Sequence, residues 1–179
     1  MSVKEALDNF AFDVIDEAKK ILDKKDKNAS KKLSDSLDYK LKVSAKKDNF
    51  ALTFLMEDYA EYIDRGVKGK GGTKADGTQW KKKRISNISI WKQRTGYKDE
   101  RPPASAFSNW VVRRGIAPRN KKGQFMTRKS LMFAIATIVY HTGQAATNFF
   151  TLPFNRYLKG LPDRLAISVA DELVLKLKL

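Results

Sequence analysis

Residues 65–129 carry 19 lysines and arginines against 3 acids, whereas the other 114 residues carry 17 of each. One central segment therefore holds the whole formal net charge of +16. Like charges at that density repel one another and leave little apolar surface to bury, so the folded framework is expected from the pattern-rich blocks on either side. A field so concentrated attracts polyanions, nucleic acid above all, or an acidic protein surface.

A chain of 179 residues fits one domain, with 67–103 as a basic protruding loop or arm, and 42% hydrophobic residues suffice for a core. Cysteine is absent, which removes disulfides, thiolate chemistry and Cys-based zinc sites. The opening stretch MSVKEALDNFAFDVIDEAKK mixes acids among its apolar residues. No secretory leader or membrane anchor is expected from it, and the chain reads as made in a reducing cytosol.

Val3, Leu7, Phe10, Val14, Ala18, Ile21 and Leu22 recur at three- and four-residue spacing, which predicts an amphipathic helix from Val3 to about Lys25. A polar linker, 24–32, follows. The period then falls to two in Leu37, Tyr39, Leu41, Val43 and Ala45, and again in Phe50, Leu52, Phe54 and Met56. Two half-buried strands joined at Lys47-Asp48-Asn49 make an antiparallel hairpin. Asp58 to Arg65 reads as a short helical turn stopped by Gly66.

Regular patterning stops there. Gly69, Gly71, Gly72 and Gly77 lie among lysines, and Pro102-Pro103 closes the stretch. A loop this long is usually functional, and 68–100 is expected to become ordered only on assembly. Ile85, Ile88 and Trp91 allow one weak helical piece within it. A short helix through Trp110 and Val111 ends at Gly115, and Thr127 caps a helix that stops at Gly143. The interior of that helix, Leu131 to Tyr140, is apolar nearly all round, so it lies central in the core or is shared with a neighbouring subunit. Ala145 to Phe154 reads as an extended apolar link. Pro162-Asp163 opens a last helix with Leu165, Val169, Leu173 and Leu177 on one stripe. The expected class is α+β, with a long N-terminal helix, a hairpin sheet, a long basic arm, a central apolar helix and a C-terminal helix.

The phrase Tyr59-Ala60-Glu61-Tyr62-Ile63-Asp64-Arg65-Gly66, a variable loop, a helix, and then Thr147-Asn148-Phe149-Phe150-Thr151-Leu152-Pro153-Phe154 before a closing helix resemble the tail-completion and neck proteins of tailed bacteriophages. The stretch Asn120 to Phe125, with the helix that begins at Arg128, looks like neck proteins of phages that infect Bacteroidota. The resemblance implies a structural virion protein without catalytic residues or cofactors. Such a protein builds a homo-oligomeric ring, twelve copies in the family pattern, at the head–tail junction. Its partners are portal, adaptor and tail proteins, with genomic DNA in the channel, and it sits in the virion after assembly in the host cytoplasm.

Several residues carry the candidate chemistry. Lys81, Lys82, Lys83, Arg84, Arg113, Arg114, Arg119, Lys121 and Lys122 are candidates for DNA or partner contact, although a run such as 81–84 is as often a solvated face. Trp80, Ile85, Ile88 and Trp91 are candidate docking anchors, or they fix the loop on its own protein. Ile135, Phe149, Phe150 and Phe154 are candidates for a subunit interface. Glu57, Glu61 and Asp64 share a helical face and suggest, weakly, a metal-dependent nuclease, but no further carboxylate or histidine completes a metal shell. His141 is the only histidine and has no partner visible in the sequence. The glycine-rich stretch lacks P-loop spacing, and no Ser/His/Asp arrangement or nucleophile elbow occurs. Three readings stand: a neck-ring subunit, a sequence-nonspecific nucleic-acid-binding protein, and a nuclease.

Overall fold

A computed structural model describes residues 1–25, 27, 31–45, 49–91, 101–119 and 122–177. These form an α+β fold with a long N-terminal helix, two small antiparallel sheets of two strands each, and a long C-terminal helix. The chain groups into two compact units, one made of Met1–Ala60 with Asn148–Leu179 and the other of Glu61–Thr147. The charge follows this division. The second unit has 19 basic and 5 acidic residues, and the first has 17 and 15.

In the first unit, α1 spans Val3–Lys24 and opens with a reciprocal cap. The Glu5 amide donates to Ser2 Oγ at 3.2 Å, and the Ser2 amide donates to Glu5 Oε2 at 2.9 Å. Two amides that the helix leaves without partners are thereby satisfied. The expected stripe is the buried one, with Leu7, Phe10, Val14, Ala18 and Leu22 inward, joined by Ala6, Ala11 and Ile15. A short helix, α2 (Lys32–Ser36), begins where the expected linker ends.

The hairpin forms as expected from β1 (Asp38–Val43) and β2 (Phe50–Leu55), although Lys47 and Asp48 of its turn lie outside the described residues. Its register sets Tyr39 opposite Phe54 and Leu41 opposite Leu52, so the apolar side chains share one face. Phe54 stands edge-on to Phe10, Phe150 and Phe154 at centroid distances of 6.2, 5.1 and 6.0 Å. The hairpin, α1 and the aromatic phrase thus meet in one cluster of four rings. Edge-on pairs of this kind each add roughly 0.5–1.5 kcal/mol beyond the area they bury.

Three expectations are corrected in this unit. The phrase read as an extended link turns helical at Thr151, forming α6 (Thr151–Leu158). Pro153 falls in the first turn of α6, where its missing N–H costs no hydrogen bond. Phe149 and Phe150 are 0% and 2% exposed, and Phe154 is half-buried against Phe10, so these three belong to the core and are not a free interface. Lastly, α7 (Leu161–Leu177) does not bury the expected stripe, because Val169 and Leu173 are 46% and 54% exposed. Its inward line runs through Leu161 and Ser168, both buried, with Leu165 half-buried. The helix is apolar on two sides, so periodicity alone does not choose a face. Polar contacts fix its rotation: Asp171 holds the N-terminal ammonium at 3.0 Å and Glu172 accepts from the Val3 amide at 3.0 Å. The side chain of Leu177 lies outside the described residues.

In the second unit, α3 (Ala60–Arg65) ends at Gly66, whose φ of +83° reverses the chain. A 3-10 turn, Ala104–Phe107, leads into α4 (Ser108–Arg113), and both pack on α5 (Arg128–Thr142). Thr127 caps α5 as expected, with its hydroxyl accepting from the Ser130 amide at 3.2 Å. Val111, Ala136 and Tyr140 form the interior. Residues Ile85 to Trp91 are not helical. Serine hydroxyls take the amides there instead, with Ile88 N–H donating to Ser86 Oγ at 3.3 Å and Trp91 N–H to Ser89 Oγ at 3.2 Å.

Candidate polyanion-binding face

The end of α5 leaves four carbonyls without helical partners. The Gly143 amide takes that of Val139. The other three are taken by the basic segment: Lys70 N–H donates to Tyr140 O at 3.0 Å, Gly71 N–H to His141 O at 2.9 Å, and Lys83 N–H to Thr142 O at 2.7 Å. Beside them, β3 (Val67–Lys68) pairs antiparallel with β4 (Gly143–Gln144). Ser86 N–H reaches Arg65 O at 2.8 Å, and Ala146 N–H reaches Arg84 O at 3.1 Å. Residues 67–71 and 83–86 are therefore bonded through the main chain to the rest of their own unit, order that the sequence pattern did not show. Residues 92–100 lie outside the described residues.

Glycine makes this crossing close enough. A Cβ on Gly69 would collide with the backbone of His141, Thr142 and Gly143, and one on Gly143 would collide with Val67 O and Gly69 N. No hydrophobic period marks such a crossing, which is why the sequence shows only a glycine-rich loop.

Between these attachments, residues 72–80 form a tongue. Trp80 N–H donates to Gly72 O at 3.0 Å, and Thr73 bridges Gln79. Asp76 closes the tip by accepting from the Thr78 amide at 2.9 Å and the Thr78 hydroxyl at 2.6 Å. Those two bonds hold its carboxyl below the usual carboxylate range, so this acid stays ionised for the turn. His141 has the partners that the sequence concealed. Its Nδ1 lies 2.6 Å from Gly71 O, and its ring stacks on Trp80 at 5.1 Å with an interplanar angle of 5°. Because Gly71 O can only accept, Nδ1 carries the proton. Lys74 covers Trp80 at 5.2 Å from the ring centroid. Trp80 is thus spent within its own unit. His141→Ala is expected to lower stability by about 1–2 kcal/mol and to red-shift tryptophan emission, as measured by denaturant titration followed by fluorescence.

Lys81, Lys82, Lys83 and Arg84 all have exposed side chains while the backbone at 83 and 84 is bonded to residues 142 and 146. Four cations are thereby displayed from an irregular segment that is anchored at its last two residues. The remaining basic candidates lie elsewhere in the same unit. Arg113 and Arg114 end α4, with the Arg114 guanidinium over Trp110 at 5.7 Å, and Arg119 sits over Phe125 at 4.0 Å. Lys122 is exposed, and Lys121 lies outside the described residues. Ile85 and Ile88 are exposed and Trp91 is half-buried, while Ile135 is half-buried on α5 beside exposed Phe133 and Ile138.

The acidic trio does not assemble. Glu57 precedes α3 and pairs with Lys32 at 3.1 Å, and Asp64 is fully buried. Among the described residues no three His, Asp or Glu side chains gather where a metal ion could be held, and no helix is long and apolar enough to cross a membrane. No protein-family model, curated protein or solved structure matches the chain.

Proposed function

We propose that the chain is a structural subunit of a ring at the head–tail junction of a tailed phage, with its second unit turned toward the DNA that passes through. The observation that carries this reading is the exposed run Lys81 to Arg84, whose backbone is bonded at Lys83 to the last residue of α5 and at Arg84 to Ala146. A passing genome presents every sequence, so its lining has to neutralise phosphate without reading bases. Four exposed cations on an anchored segment suit that task. Trp80 lies stacked on His141, which favours a lining over a docking arm. The nearly neutral first unit supplies apolar faces for contacts with neighbouring copies and with portal, adaptor or tail proteins. On this reading the protein performs no catalysis and resides in the virion.

The same basic run supports a second reading, a sequence-nonspecific nucleic-acid-binding protein that acts alone. Duplex binding titrated against salt, alongside native mass spectrometry, tests both. Replacing residues 81–84 with serine should reduce the slope of log affinity against log salt by about 3–4, the contribution of four phosphate contacts, and should do so equally on unrelated sequences. An unchanged slope removes the DNA-facing role. Strong binding by a species that stays monomeric at every concentration favours the second reading.

A further inference from the structure

A second surface of the basic unit has a different character. The end of α4, the turn at Gly115 and the loop to Met126 enclose an open groove of about 320 Å³. Its floor is Val111, 3% exposed, and its walls include Val112, Ile116 and Phe125, which are 53%, 37% and 67% exposed. The loop wall is built: Arg119 pairs with Phe125 in an antiparallel bridge, Met126 N–H donates to Pro118 O at 2.9 Å, and Arg119 Nη1 donates to Gly123 O at 2.9 Å. Arg113 and Arg119 flank the groove in sequence, Arg128 lines it, and from 101 to 162 the chain has no acid at all. Arg128 and Lys129 also sit in the first turn of α5, where the helix dipole disfavours cations. Such a placement conflicts with helix stability and suits an anionic partner.

The complement lies on α1. Phe12 is 66% exposed on the helix side away from the core, and Asp8 and Asp16 stand one turn before and after it. From Glu5 to Ala18 the chain has five acids and no lysine or arginine. Within the chain Asp13 pairs with Arg164, Glu17 with Arg156 and Asp16 with Lys20, while Asp8 accepts from the Tyr39 hydroxyl. The Asp16 pair joins exposed side chains one helical turn apart, and such pairs contribute little, so Asp16 can exchange its partner. An exposed aromatic knob between two carboxylates and an apolar groove lined by Arg128 are therefore carried by one polypeptide.

We propose that the groove receives Phe12 of a second copy of this chain, with the carboxylates of Asp8 and Asp16 on either side of it brought to the Arg128 wall. The contact is heterologous, so each copy keeps one free knob and one free groove, and repetition gives a closed ring or an open filament. It rests on the ring-subunit reading, for which it supplies the join between copies. An aliphatic floor suits a side chain better than a phosphate, which would need donors there.

Sedimentation velocity tests this with three variants of the full chain. Phe12→Ser should weaken self-association at least about tenfold, as should Val112→Asp combined with Ile116→Asp, while Phe12→Leu stays close to wild type. All these side chains are exposed, and circular dichroism checks that each variant is folded. Mixing the two defective variants is decisive: one intact knob and one intact groove should pair into dimers that grow no further. If wild type associates and neither variant weakens it, the contact lies elsewhere and the ring reading stands without this inference. A mixture that forms no dimer overturns the pairing, as does competition by single-stranded oligo-dT that Val112→Asp/Ile116→Asp abolishes. Wild type that never associates removes both.

Discussion

Gly143→Ala is expected to unfold the basic unit or to cost it about 3–5 kcal/mol. The residue has φ +80° and ψ −170°, a region that only glycine occupies without strain of about 1–3 kcal/mol. The added Cβ would also run into the Val67 carbonyl and the Gly69 amide, both backbone atoms with little room to move. Opening that crossing would break the β3–β4 pairing and expose the carbonyls at the end of α5 together. Chemical denaturation followed by Trp80 fluorescence would report it. Wild-type stability in this variant would show that 67–86 is not tied to α5 in solution.

How much of this was legible in the sequence depends on which force shapes each part. Elements that bury a periodic face could be read: α1 from its three- and four-residue spacing, the hairpin from its alternation, and α5 from Thr127 and Gly143 at its ends. The basic segment could not be read, because main-chain hydrogen bonds to another helix's carbonyls leave no side-chain pattern. His141 was obscured for the same reason, since its partners are a glycine carbonyl and a tryptophan 61 residues away. The rotation of α7 was hidden by too much pattern, with apolar residues on both sides and only the polar contacts of Asp171 and Glu172 to decide. The groove lies within a run without acids, 101 to 162, and that feature was visible in the sequence.

Phe150→Ala should cost about 3–5 kcal/mol in the first unit. The ring is 2% exposed and touches Phe54 at 5.1 Å and Phe154 at 5.8 Å, so its removal opens a cavity at the junction of the hairpin and α6. The defect should appear as lost stability in the isolated chain and not as an assembly defect in a folded protein. Thermal unfolding would show a midpoint lower by roughly 6–20 °C, given the usual conversion for a chain of this length. A folded, fully stable Phe150→Ala chain that fails only to associate would return the aromatic phrase to the subunit interface.

The central claim is that copies of this chain close into a ring whose basic units face passing DNA. Electron microscopy of the purified wild-type chain with linear duplex DNA tests it most directly. The account predicts closed rings of uniform diameter with a central opening, threaded by duplex, and rings that form but lose the duplex at moderate salt when residues 81–84 are serine. Single 20.4 kDa chains scattered along the duplex, with no closed assembly at any concentration, would contradict it.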